Sequence, residues 1–311
     1  MENQVFSKII GHQQNLDFLQ ATVNSGRLAQ AYLFFGAERL GKQYIARQLI
    51  ASFLKTSELT THPDFFLVQR QESEKTGDLK HEISVDQIRT LKDRLQQSSW
   101  LGNKKFALIN EAENLSASAA NALLKLLEEP PANTHLFLIA SSKYRLPKTV
   151  LSRTTSVRFG LVGYKTMIEA GLGKIAAAYS LGRPGLALEF DQDGGKKLIE
   201  TLADFGELVN APVWRRANLI NAWFSKKSSH VLQEEIFKER INIWKTALRL
   251  RLLTSQGLEG LVDSEILREN IANSLSVPET HQRLLGLSRV QRGFEYNGNL
   301  RLLLENLFLK N

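Results

Sequence analysis

Ala31-Tyr-Leu-Phe-Phe-Gly-Ala-Glu-Arg-Leu-Gly-Lys-Gln43 is an apolar run of strand length that opens into a glycine loop. The segment behind it, Gln43–Leu54, spaces Ile45, Leu49 and Phe53 as one face of a helix. Strand, glycine loop and helix in that order form the context of a phosphate-binding loop. The pattern G-x-x-x-x-G-K-[ST] asks for backbone N–H groups around phosphates, a lysine on the β- and γ-phosphates, and a hydroxyl on Mg²⁺. Gly36, Gly41 and Lys42 answer the first two demands, and Gln43 stands where the hydroxyl belongs. The loop therefore keeps its phosphate parts and lacks one metal ligand. Backbone amides at a helix start can hold phosphate without metal, so nucleotide binding at Lys42 stays an open alternative.

Outward from this loop, Asp64–Val68, Lys105–Ile109, His135–Ala140 and Thr155–Phe159 read as further short strands. Helical spacing fills Val85–Gln97 and Ala117–Glu129, the latter stopped by Pro130-Pro131. Strands alternating with helices predict a parallel α/β sheet. The polar stretch Gln69–His81 reads as an exposed loop. After Phe159 the strand signal ends. Tyr164–Ala170, Lys174–Ser180 and Pro184–Phe190 read as short helices, Pro184 being suited to a first helical turn. Ile241, Trp244, Leu248 and Leu252 follow helical spacing, and Leu300–Leu309 is a further apolar helix. The expected architecture is an α/β P-loop domain over residues 1–160, a small helical lid over 161–205 and an all-α domain over 206–311.

The chain has 311 residues, 43% of them apolar, enough for two or three cores. A net charge of +8 favours an anionic partner, nucleic acid among the candidates. There is no cysteine, which removes disulfides and thiolate metal sites, and the six histidines show no ligand spacing, so no zinc is expected. Met1–Ile10 has no apolar core of signal length, and no apolar run approaches the ~18 residues that cross a bilayer. A soluble, cytoplasmic protein is expected.

Three more segments bear on chemistry. Phe106-Ala-Leu-Ile-Asn-Glu-Ala-Glu113 is an apolar strand running into acids. In P-loop enzymes an aspartate at that strand end helps hold Mg²⁺ and an acid or water-orienting group serves the attacking water. Here the aspartate position is Asn110, an amide without the charge that helps bind magnesium, and Glu111 holds the place of the base. Gln43 and Asn110 together argue against Mg²⁺-dependent hydrolysis. Leu151-Ser-Arg153 has two readings: an arginine that reaches a neighbour's γ-phosphate, or a surface arginine in a basic stretch with Lys143, Arg145, Lys148 and Arg158. Asn121-Ala-Leu-Leu-Lys-Leu-Leu-Glu-Glu-Pro-Pro131 is a core helix with a hard stop and carries no chemistry itself.

Taken together, these strings resemble the bacterial clamp-loader subunits of the AAA+ class. The matching pieces are Ile10-Gly-His-Gln13, the glycine loop, His62-Pro-Asp64, Ile88-Arg89, Ala119-Ala-Asn-Ala-Leu-Leu-Lys125, Leu127-Glu-Glu-Pro-Pro131, Leu151-Ser-Arg153 and Gly182-Arg-Pro-Gly-Leu-Ala187, in the family's order. The resemblance implies a subunit of a pentameric DNA polymerase III loader that opens a sliding clamp and places it on primed DNA. Its implied partners are ATPase subunits of the gamma/tau kind, a delta subunit, the clamp, and primed DNA through the assembly. It implies a helical collar for the last third.

Some subunits of that family hydrolyse ATP and another is often a non-hydrolysing stator. The departures at Gln43 and Asn110 favour the stator, as does Gly185, which stands where the ATPase subunits' Gly-Ser-x-Arg-x-Ala motif has its arginine. Arg153 matches the arginine of the family's Ser-Arg-Cys motif, with Thr154 in place of the cysteine, so the resemblance implies a finger acting in trans. The family's four-cysteine zinc module has no counterpart, since Lys55–Thr61 is short. On this reading no cofactor is required. The alternatives are an active gamma-like ATPase and a stand-alone DNA-binding protein.

Overall fold

The computed structural model describes residues 5–6, 8–72, 80–99, 104–225, 230–256, 271–295 and 298–309. The centre of the predicted loop at 69–81 (residues 73–79) lies outside them. The chain divides into two compact units, Met1–Val162 and Gly163–Asn311.

The first unit is built on five parallel strands: β1 (Ala31–Phe35), β2 (Phe65–Val68), β3 (Lys105–Ile109), β4 (Thr134–Ala140) and β5 (Thr155–Arg158). Their order across the sheet is β2-β3-β4-β1-β5. The central strands are apolar along most of their length (Ala31–Phe35, Phe106–Ile109 and Leu136–Ala140) because both faces of the sheet are covered. Side chains alternate between the faces with period two. Leu33, Ala107, Ile109, Leu136 and Leu138 join one core with helices α3 (Val85–Gln96) and α4 (Ala117–Glu128). Tyr32, Phe34, Phe106, Leu108 and Phe137 join the other with α1 (Gln13–Ser25) and α2 (Lys42–Leu54). Tyr32 and Phe137 stack at 5.1 Å between ring centres, with Phe34 edge-on to Phe137 at 5.8 Å.

Local chemistry sets the helix ends. Ser84 and Gln87 form a reciprocal capping box at the start of α3. Ser116 caps α4 by accepting from the Ala119 N–H at 3.2 Å. At its other end Pro130 has no N–H to offer and disfavours helical backbone in the residue before it. The strand predicted from Asp64 begins at Phe65. Asp64 is buried, and its carbonyl accepts the Phe106 N–H at 2.9 Å. Helix α1 was not among the expected elements. Its N-cap, His12, makes no side-chain capping bond, and Gln13, Gln14, Asn15, Asp17 and Gln20 dilute its apolar face.

The second unit is entirely helical among the described residues. A single hydrophobic cluster in it runs from Ala176 to Phe308. Its centre is the buried Trp244 on helix His230–Ser255, stacked on Phe205 at 5.7 Å and edge-on to Phe308 at 6.1 Å. The indole N–H donates to Thr201 O at 3.0 Å, so the one polar atom of that side chain is satisfied. Among the described residues, no helix is long and apolar enough to cross a membrane.

Candidate nucleotide site

Ligands of open α/β sheets gather beyond the carboxyl ends of the strands. That edge is where the predicted residues meet. The glycine loop leaves β1, Asn110 and Glu111 leave β3, and Ser141 leaves β4; these strands are neighbours in the order β3-β4-β1.

Gly36 breaks from β1 at φ 146° and its N–H donates to Ala140 O at 3.3 Å. A Cβ there would lie 2.2 Å from Phe159 O, so no other residue fits without moving β5. Gly41 adopts φ 85° and caps the start of α2, which leaves the first-turn amides pointing outward. Lys42 is buried, and its ammonium donates to Gly36 O at 2.7 Å and Ala37 O at 2.6 Å. Burial lowers its pKa, opposed by the carboxylates of Glu113 and Glu38. Gln43 follows, half-buried, on the first turn of α2.

Across from the loop, the Asn110 N–H donates to Val68 O at 2.8 Å, which fixes the end of β3 against β2. Glu111 turns the chain at φ 52°. Its carboxylate is taken by Arg70, from the end of β2, and by the Asn114 amide at 3.4 Å. Both charges of the Arg70–Glu111 pair are part-exposed, which limits its stabilisation to about 1 kcal/mol. The placement matters more than the energy, since Glu111 is engaged within the chain instead of presented as a free base. Glu113 is, with Glu38, one of the two carboxylates that act on Lys42. One of its oxygens accepts the Ser141 N–H at 2.7 Å, and the other is buried with no hydrogen bond. Sequence reasoning missed Arg70, Glu113 and Ser141. Glu113 alone carried a signal, two residues past Glu111 on the same acidic turn.

The N-terminal motif also meets the loop. His12 makes a hydrogen bond through Nε2 to Leu40 O at 3.2 Å and sits edge-on to Phe159 at 5.1 Å. Burial lowers its pKa, with the Leu40 carbonyl opposing and Lys42 adding to the effect.

Arg153 lies away from this edge constellation, two residues after the short helix α5 (Lys148–Leu151). Its guanidinium binds Glu128 at 2.8 Å, Thr149 O at 3.1 Å and Ser152 Oγ at 3.2 Å. It is part-exposed. The Glu128 partner comes from the Leu-Glu-Glu-Pro-Pro segment, so two separate strings of the sequence converge here.

The residues fit a phosphate better than they fit a metal. The Gly36 cradle, the open amides of α2 and the Lys42 ammonium suit an anion. For magnesium the donors on offer are two neutral amides, Gln43 and Asn110, the Glu111 carboxylate already bound by Arg70, and one buried oxygen of Glu113, a set with a single uncommitted carboxylate oxygen for a hard cation. Among the described residues there is no group of three or more His, Asp or Glu placed to hold a metal.

Residues 11–162 match the family described as "DNA polymerase III, delta subunit". The chain is 36% identical over 157 residues to the DNA polymerase III subunit delta' of Pseudomonas aeruginosa, covering 45% of this chain and 46% of that protein. It is 31% identical to the delta' subunit of Bacillus subtilis, covering 46% of each chain. It is 33% identical to the tau subunit of Escherichia coli, over 48% of this chain and 24% of that one. The aligned part thus spans about half the length of the delta' relatives, or less for tau. A solved structure of a DNA polymerase III gamma subunit-related protein from Thermotoga maritima superposes with a TM-score of 0.54 at 18% identity, covering 93% of this chain and 97% of that one. That likeness extends the shared fold through the helical half. Through residues 11–162, then, this chain is similar to the DNA polymerase III delta-subunit family and to the delta' and tau subunits of that polymerase.

Proposed function

We propose that the protein is a non-hydrolysing, structural subunit of a DNA polymerase III clamp loader. It works in the cytoplasm and supports ATP-dependent loading of a sliding clamp on primed DNA. Its partners are gamma/tau-type ATPase subunits and a delta subunit. Residues 161–205 serve as a helical lid and 206–311 as the collar through which subunits associate. The observation that carries the reading is the metal side of the P-loop site. Gln43 and Asn110 are neutral at the two metal-holding positions, and Arg70 engages Glu111. Bound ATP would supply a polyphosphate for the Gly36–Lys42 loop. The chain's own part is to bind that anion through backbone amides and the Lys42 ammonium, which must first leave the Gly36 and Ala37 carbonyls.

Arg153 is proposed as a finger toward a neighbouring subunit's nucleotide. A guanidinium is suited to that role because it is always charged and binds phosphate through two N–H groups at once. In the free chain Glu128 holds it, so docking must exchange the Glu128 carboxylate for phosphate.

Mixing the purified chain with gamma/tau-type and delta subunits and measuring the mass of the product tests the partner claim; failure to co-assemble sinks it. Within an assembled loader, Arg153→Ala should lower ATP turnover without changing the mass. Unchanged turnover removes the finger. The relative named tau keeps one rival in view, an active ATPase subunit. Mg²⁺-dependent phosphate release by the lone chain, abolished by Lys42→Ala, would establish that rival instead.

A further inference from the structure

Between Glu129 and the end of the first unit at Val162 the chain holds no acidic residue, while Lys143, Arg145, Lys148, Arg153 and Arg158 are all basic. At the crest of this stretch stands Tyr144, 86% exposed, the most exposed large hydrophobic side chain among the described residues. The turn that carries it is held firmly. Ser142 caps the turn by accepting the Tyr144 N–H at 3.3 Å, Leu146 is buried just behind, and Val150 is buried on the following helix. The ring is therefore presented on a fixed support. The Lys143 ammonium lies 5.4 Å from the ring centres of both Phe35 and Tyr144, a charge placed between two aromatic rings. Arg145 and Lys148, just after it in the chain, are exposed. Glu113, bound to the Ser141 N–H, is turned inward with one oxygen buried, so it does not neutralise the outer face.

An exposed ring flanked by cations is the chemistry that recognises an unpaired base and its adjoining phosphates. Bases stack on aromatic side chains regardless of sequence, and the cations follow the backbone. We propose that the Lys143–Lys148 turn is a single-stranded nucleic-acid contact in which Tyr144 stacks on a base while Arg145 and Lys148 meet the flanking phosphates. Clamp loading leaves this contact unassigned, and the proposal stands apart from it. The isolated chain carries the whole turn, so failure to join a loader and failure to bind single strands are separate results.

The test uses the full chain and a fluorescent oligothymidylate of about twelve nucleotides, followed by anisotropy at low salt, with inorganic polyphosphate as a charge-only competitor. Tyr144→Ala should weaken oligothymidylate binding roughly fivefold or more, because a stacking partner is lost. Tyr144→Phe should retain the affinity, and polyphosphate should bind both variants like the parent. Arg145→Ala and Lys148→Ala should each lower the slope of log affinity against log salt by about 0.7, the value for one single-strand phosphate. Equal oligothymidylate binding by the parent and Tyr144→Ala would overturn the proposal. So would an equal loss for polyphosphate, which would show charge without stacking. Tighter Tyr144-dependent capture of an acidic peptide than of oligothymidylate would also overturn it and make the turn a protein contact.

Discussion

The two motif glycines should respond very differently to the same substitution. In Gly36→Ala the new methyl would sit 2.2 Å from Phe159 O, far inside van der Waals contact, and the obstacle is backbone that cannot rotate away. The φ of 146° adds strain. Relief requires β5 to move from β1, at the point where the Phe159 N–H donates to Phe35 O at 2.8 Å. Losing that bond costs about 1 kcal/mol and the backbone strain about 1–3 kcal/mol, so Gly36→Ala should destabilise the first unit by about 2–4 kcal/mol. Gly41→Ala meets nothing within 4 Å and has only its φ of 85° to accommodate, at about 1–2 kcal/mol. Urea unfolding followed by circular dichroism measures both, and hydrogen exchange at the Phe159 amide localises the damage to the β1–β5 edge. If Gly36→Ala proves no worse than Gly41→Ala, or leaves the Phe159 amide as protected as before, the steric account of the loop is wrong.

Burial holds the pKa of both His12 and His135 below 6.5 in the folded chain, so the unfolded chain takes up protons first as the pH drops. Stability should therefore fall as pH falls from about 6.5 toward the folded values, by at most about 1.4 kcal/mol per pH unit per histidine, and asparagine at each position should flatten urea midpoints between about pH 7.5 and 5.5. Trp244→Phe keeps a ring beside Phe205 but removes the donor to Thr201 O and should cost about 1–2 kcal/mol, against about 3–5 kcal/mol for Trp244→Ala, both read from chemical denaturation. Glu128→Ala breaks the part-exposed pair with Arg153 and should move stability by no more than about 1 kcal/mol in a thermal melt; a larger loss would mean that the pair holds α5 in place.

Local sequence settled the frame of this protein because most elements of the first unit carry their own signal. Ala31–Phe35 and Phe106–Ile109 are continuous apolar runs, as strands covered on both faces must be, and the α4 segment is marked at one end by Ser116 and at the other by Pro130. The phosphate loop and its missing hydroxyl are equally readable, since Gly36, Gly41, Lys42 and Gln43 lie in one short segment and chemistry depends on their types. Helix α1 was harder to see because its apolar face is sparse and its cap makes no side-chain bond. Tertiary structure alone decided which charges meet. Arg70 reaches Glu111 only because β2 and β3 are paired, Glu113 reaches Ser141 only because β3 lies beside β4, and Arg153 finds Glu128 across two segments with no shared spacing. A strand announces itself through its own neighbours in the chain, whereas an ion pair at a sheet edge depends on the order in which strands are laid side by side.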